Sequence, residues 1–344
     1  MPKDSFSVAI ACSHRTESLD ATLHALAELE YDHGFEIIII DDKAWEGRQG
    51  AAIRAKRAGL LIRYISLPGI SKASAWNVAL QESGGEYMAF LDDGCIPASD
   101  WLTAYNAAFG EWTTGVAGGP DCAPKHASIF ERSLDYVLNS FIGTLGTRTG
   151  VSAALTYYPR MWNMAARKEA LRLAGGFDES ASESPEVMMI SRLRRIGYKA
   201  AYQPAAQVER GRAGLLGFLS RTFRLSAERG RGTAQPGLSR IYLGALTGLL
   251  VVLGASAVPR SENHLALWAS AGYGIILAWA GIHAAIRTRN PLAAMIVPPL
   301  MLVHHLMHLT GYALGLLRRL IPSTDGTKSR STDGLCKKTR NSCV

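Results

Sequence analysis

The chain has 344 residues and a formal charge of +8, a length that suits one enzyme-sized domain with an appendage and argues against a string of small modules. Five cysteines, Cys12, Cys95, Cys122, Cys336 and Cys343, form no C-x-x-C pair, which speaks against a zinc knuckle or a disulfide framework and for reduced thiols. The basic excess gathers between Arg210 and Arg240 and beyond Arg318, beside apolar segments and without a base-stacking motif, so membrane lipids are its expected partner and nucleic acid is not.

Ser7–Cys12 reads as a first strand, and no basic stretch precedes it as it would precede a signal core, so the first half is expected in the cytosol. Leu19, Leu23, Leu26 and Leu29 then recur at helical spacing behind a Thr16 or Ser18 cap. Phe35–Ile40 is too uniformly apolar for a sheet wet on one face and should be a central strand. A helix over Gln49–Ala58, a strand over Leu61–Leu67, a helix over Ser71–Glu82 and a strand over Tyr87–Leu91 follow. This alternation predicts an α/β fold with a parallel sheet and right-handed crossovers. Asp41-Asp42 and Asp92-Asp93 then fall on one lip, where parallel strands end and ligands collect.

Phe90-Leu91-Asp92-Asp93-Gly94-Cys95-Ile96-Pro97 is the most informative stretch. Two adjacent carboxylates at the end of an apolar strand serve a core poorly and serve a cation or a ribose hydroxyl well. The plain alternative is an acidic turn, with Ser99 or Asp100 capping a helix over Ala98–Phe109. Further on, Gly118-Gly119-Pro120 is a turn, Ser128–Phe141 is helical, and Pro159–Ala165 leads through Asn163 into a helix over Arg167–Ala174. Gly175-Gly176 stops that helix, and Pro185 opens another over Glu186–Ile196 that Gly197 ends.

Hydropathy divides the chain. Residues 210–237 read as a basic amphipathic segment, with Leu215, Phe218, Leu219 and Phe223 on one side and arginines on the other. Leu238–Val258 and Leu265–Ile286 are each about 20 residues long and nearly free of charge, enough to cross a ~30 Å hydrocarbon core. Pro291–Leu317 is also long enough, though Pro298-Pro299 allows a bend into a re-entrant hairpin. Its His304, His305 and His308 lack a neighbouring Cys or carboxylate, so polar packing or a lipid phosphate is favoured over a metal. Three crossings follow from the apolar segments, whereas the basic tail prefers the cytosolic side; residues 321–344 should be disordered. The expected domains are 1–209, catalytic; 210–237, interfacial; 238–320, membrane helices; and 321–344, tail.

Seven motifs in order resemble the family-2 glycosyltransferases of the GT-A fold, with a helical membrane domain behind the catalytic one as in bacterial exopolysaccharide and glycolipid enzymes. They are Ala11-Cys12-Ser13-His14-Arg15, Asp41-Asp42, Gly69 to Asn77, Asp92 to Leu102, Asn163 to Lys168, Gly175-Gly176-Phe177-Asp178-Glu179, and Pro185-Glu186 ahead of Arg192-Leu193-Arg194. The resemblance covers residues 5 to 235 and implies a nucleotide-sugar donor, UDP-type by preference, bound by Arg15, Asp42, Lys72, Asn77 and Asp92. It implies a divalent metal, manganese or magnesium, on Asp93 and Asp92, and Glu186 as the general base of an inverting transfer, with Asp178 next in line.

The acceptor implied is lipid-linked, a glycolipid or a polysaccharide, reached at the cytosolic face of the cell inner membrane. No Q-x-x-R-W motif stands between Gln203 and Gly237, which favours single over repeated transfer. Three positions depart from the pattern: Gly94 replaces the last acid of D-x-D, Pro185 the first of the acidic pair, and Ala11 and Ser13 replace a Pro and an aromatic. Gly94 and Pro185 keep in view a catalytically degenerate domain that binds a nucleotide sugar or a partner, and a third reading is a membrane subunit for export with the soluble domain as regulator.

Overall fold

The computed structural model describes residues 3–12, 16–43, 45–144, 157–180, 185–231, 244 and 264–320. Strands β1 (Phe6–Cys12), β2 (Phe35–Asp41), β3 (Ile62–Ser66) and β4 (Tyr87–Asp92) alternate with helices α1 (Thr16–Ala27), α2 (Glu46–Arg57) and α3 (Lys72–Glu82). They pair in parallel in the order β3-β2-β1-β4. Leu19, Leu23 and Leu26 of α1 close one face of this half-sheet, and Trp76 and Ala79 of α3 close the other. With both faces covered, Ile37 to Ile40 are all buried, which is why that strand is apolar throughout instead of alternating.

Beyond β4 the alternation breaks. There follow β5 (Cys95–Pro97), α4 (Trp101–Ala108), β6 (Thr114–Gly118), β7 (Asp121–Cys122), α5 (Ile129–Asn139), α6 (Phe141–Thr144), β8 (Met164–Arg167), α7 (Lys168–Leu173), α8 (Pro185–Arg195), β9 (Lys199–Tyr202) and β10 (Val208–Arg210). β8 runs antiparallel between β4 and β6, and β9 adds in parallel to β6, giving a seven-stranded, mostly parallel sheet in the order β3-β2-β1-β4-β8-β6-β9. β5, β10 and β7 make a second, three-stranded sheet.

Local expectations shift where long-range pairing overrides them. Met164–Arg167 is a strand although Met-Ala-Ala-Arg carries no β-branched residue; β4 and β6 on either side impose the conformation, and the helix starts only at Lys168. The helix expected from Ala98 begins at Trp101, and the Ala98 N–H donates to the Gln207 carbonyl at 3.0 Å. Asp100 stands at its N-cap without a side-chain bond, so a cap does not explain the acids before it. Ser128 and Glu131 close a capping box on α5.

Helices α9 (Leu215–Gly230), α10 (His264–Thr288) and α11 (Leu292–Leu320) complete the described chain. Leu267–Thr288 and Leu292–Arg319 are long and apolar enough to cross a bilayer, and Trp268, Ile275 and Ile286 of α10 point outward. Leu238–Val258 and the tail from residue 321 lie outside the described residues. The hairpin that Pro298-Pro299 allowed does not form: α11 runs through both prolines, and Pro298 packs against the notch left by Gly281. α9 lies directly on α11. A Cβ at Gly315 would stand 2.0 Å from the Ala227 carbonyl oxygen, and one at Gly311 would stand 2.5 Å from that of Phe223, so this G-x-x-x-G face brings the two backbones into contact.

Candidate active site

Register builds the lip. Cys12 lies opposite Asp41 across β1–β2, and Ala11 lies opposite Asp92 across β1–β4, so both acids end up on the same edge. Their environments separate their roles. Asp41 is fully buried and accepts hydrogen bonds from Arg48 Nη1 at 2.5 Å, from the Lys43 N–H at 3.0 Å and from the Tyr64 hydroxyl. Burial opposes its ionisation, but these donors outweigh it and hold the carboxyl below the usual range. Asp41 therefore braces the β2–α2 turn, and its neighbour Asp42, one-third exposed and 3.4 Å from Arg48, presents a carboxylate to the lip.

Asp92 is buried at the end of β4, with Lys72 Nζ at 2.6 Å and Arg210 Nη2 at 3.8 Å. Burial again works against charge, and Lys72, Arg210 and Arg221 keep the carboxyl ionised below its normal range. Asp93 is also buried. The turn then passes through Gly94 at φ +86°, whose N–H donates to the Ser18 carbonyl and to Thr22 Oγ1. That left-handed backbone suits glycine and supplies no side-chain ligand.

Glu186 stands in the first turn of α8, buried, with Arg160 Nη1 at 3.9 Å. Burial dominates here and raises its pKa; Arg160, its own backbone N–H, Lys72 and Arg221 only moderate the effect. A carboxylate biased this way binds a proton more readily than an exposed one, as a general base must. Asp178 differs. It accepts from the Ser180 N–H and Oγ at 2.9 and 2.6 Å, which hold its pKa down. Asn77 is committed to the loop after α7: its Nδ2 donates to the Phe177 carbonyl and to Glu179, and its Oδ1 accepts from the Phe177 N–H. Arg15 lies outside the described residues.

A cavity of about 100 Å³, partly open to solvent, runs from Glu186 to the helix pair α9 and α11. Its polar wall carries Arg160, Arg210 and Arg221, and His304 and His308 of α11 close its far end. The Arg210 and Arg221 guanidinium groups both lie over the Trp162 ring, 4.6 and 4.8 Å from its centroid. Arg212 behind them is pinned by Asp121 at 2.5 Å and by Asp135, and this pair raises its pKa despite burial. Arg48, Arg160 and Trp162 escaped motif reading; lone basic or aromatic residues carry no spacing signal, and only the fold brings them to the site.

Asp92 and Asp93, both buried, would give a divalent cation only part of its oxygen shell, the rest coming from water and the donor phosphates. Among the described residues no group of three His, Cys, Asp or Glu side chains could hold a metal, and one Asp92 oxygen already faces the Lys72 ammonium. Magnesium or manganese requires an oxygen shell to which Gly94 contributes no side chain.

A parallel half-sheet with acids at its lip, continued by an antiparallel strand and a smaller sheet, defines the class: this is a GT-A fold. Residues 7–172, just under half of the chain, match the family model of glycosyl transferase family 2. It is 26% identical over 308 residues to the succinoglycan biosynthesis protein ExoM of Rhizobium meliloti (strain 1021), covering 82% of this chain and 96% of that one. The succinoglycan biosynthesis protein ExoA of the same organism is 23% identical over 315 residues, with 86% and 91% covered. The mannosyltransferase PcManGT of Pyrobaculum calidifontis, solved with GDP-Man and Mn2+, shares the fold with a TM-score of 0.58 at 17% identity over 88% of this chain and 86% of that chain.

Proposed function

We propose that this enzyme transfers a sugar, with inversion, from a nucleotide-sugar donor to a lipid-linked or saccharide acceptor during exopolysaccharide assembly. The names of the two succinoglycan relatives support the pathway class, and the fold shared with a GDP-Man-bound enzyme supports a nucleotide donor. The observation that carries the reading is Glu186, a buried carboxylate of raised pKa facing a cavity walled by α9 and the apolar helix α11. The donor rests on the lip beside Asp42 and Asp92. The acceptor enters through the cavity, and Glu186 takes the proton of its hydroxyl as that oxygen bonds to the anomeric carbon. The bond from that carbon to the donor diphosphate breaks on the opposite side, and a nucleoside diphosphate leaves.

Residues 1–209 form the catalytic unit on the cytosolic face of the cell inner membrane, 210–237 lie at the interface, and 238–320 anchor it. The intact lip and the biased Glu186 favour catalysis over a silent binding domain. The decisive experiment gives membranes containing the full chain a panel of nucleotide sugars with a lipid extract and measures acceptor-dependent release of nucleoside diphosphate. No release with any donor would defeat this reading.

A further inference from the structure

Accepting that donor reading, we propose that Arg160, Arg210 and Arg221 neutralise the donor's diphosphate in place of a divalent cation. Lys72 and these three arginines gather around Asp92 and Glu186, with Arg229 also near Arg160 and the buried Asp93 beside Asp92. The ion pairs are unequal. Lys72 sits on Asp92 at 2.6 Å, but Arg210 stands off at 3.8 Å and Arg160 is 3.9 Å from Glu186. Arg221 has no carboxylate within salt-bridge distance among the described residues. Arg160 Nε is buried and finds no hydrogen-bond partner among them. Burial and mutual repulsion disfavour the charged forms: Arg160 is shifted down by burial, and Arg221 by burial and by Arg210 and Arg160 beside it.

Such a cluster of crowded, buried cations is stabilised by a bound anion. Planar guanidinium groups offer phosphate oxygens paired donors, and Trp162 beneath two of them fixes their orientation. The same charges oppose a cation, since an ion at Asp92 would displace Lys72 and sit near Arg210. As the glycosidic bond breaks, charge grows on the leaving diphosphate, and fixed guanidinium groups stabilise it without rearranging. A diphosphate could also reach the cluster from the helix side, carried on a lipid. The link from Arg210 through Asp92 to the lip assigns it to the nucleotide.

The test uses the full chain in lipid nanodiscs with excess EDTA and measures calorimetric affinity for UDP, GDP, UMP, GMP and farnesyl diphosphate. The preferred nucleoside diphosphate should bind about tenfold or more tightly than its monophosphate. Adding Mn2+ should change that affinity less than about twofold. Arg160→Gln and Arg221→Gln should each weaken the diphosphate about tenfold while leaving the monophosphate nearly unchanged, and Arg221→Lys should recover part of the loss. Thermal melting of each variant checks that it folds. Nucleotide binding that appears only with Mn2+ overturns the inference and leaves the donor reading intact. Variants that lose farnesyl diphosphate but not UDP or GDP also overturn it, since the anion then belongs to the acceptor. If no nucleotide binds with or without Mn2+, the donor reading fails and this inference fails with it.

Discussion

Replacing Glu186 with Gln separates proton acceptance from shape. The side chain is buried 3.9 Å from Arg160, and burial already disfavours its charge, so the isosteric amide removes a strained anion and keeps the volume. Loss of a positioned base lowers turnover by about 10² or more, equivalent to about 2.7 kcal/mol in the barrier. Donor affinity should stay level or improve, because Arg160 loses its nearest carboxylate and remains available to an anion. The sign of the stability effect follows from the raised pKa. The folded state holds the Glu186 proton to higher pH than the unfolded chain does, so this group's contribution is full below the unfolded pKa near 4.5 and falls as pH rises through the folded value. Above that window the Gln variant should melt no lower than the parent. Single-turnover transfer, nucleotide titration and melting from pH 4 to 8 read the three effects separately. Transfer at the parental rate would remove Glu186 from the mechanism.

Asp178→Ala should cost less than about threefold in turnover, because a carboxyl held down by Ser180 is a poor proton acceptor; a loss matching that of Glu186→Gln would reverse the assignment of the base. Asp41→Asn leaves the fully buried Arg48 short of a counter-charge and should destabilise the fold by about 3–5 kcal/mol, seen as a lower melting temperature with the nucleotide-free protein. Gly315→Leu would force a side chain into the Ala227 carbonyl and should part α9 from α11, read as loss of a cross-link engineered between these helices; unchanged cross-linking would refute the close packing.

The half-sheet was legible because its signals are local. Apolar runs of strand length, leucines at helical spacing and acids after the second and fourth strands give β1 to β4 and the shared lip directly. β8 was not legible, since Met164–Arg167 becomes a strand only through partners far away in sequence. The site divides in the same way. Asp92 and Glu186 carry motif spacing. Asn77 does too, yet its side chain is used to tie down the loop at Phe177, and spacing alone cannot tell a ligand contact from that strut. Arg160 and Trp162 come from the segment before β8, and Arg210 ends β10; their meeting depends on the order of the small second sheet.

The helix contact explains how a site built on a sheet edge comes to face a bilayer-length helix, α11. α9 supplies Arg221 to the cavity wall and, six residues on, Ala227 to the notch at Gly315. A helix is stiff over that span, so the notch fixes the height of Arg221 above Trp162 as well as the separation of the helices. His304 and His308 face the same cavity from α11, and the Ser226 hydroxyl meets His308 between the two helices. A larger residue at Gly315 therefore acts at two points along α9. It loosens the helix pair and moves a guanidinium away from the diphosphate, so Gly315→Leu should weaken UDP or GDP binding as well as cross-linking. Full nucleotide affinity in a variant whose helices have parted would show that Arg221 is held by Trp162 alone.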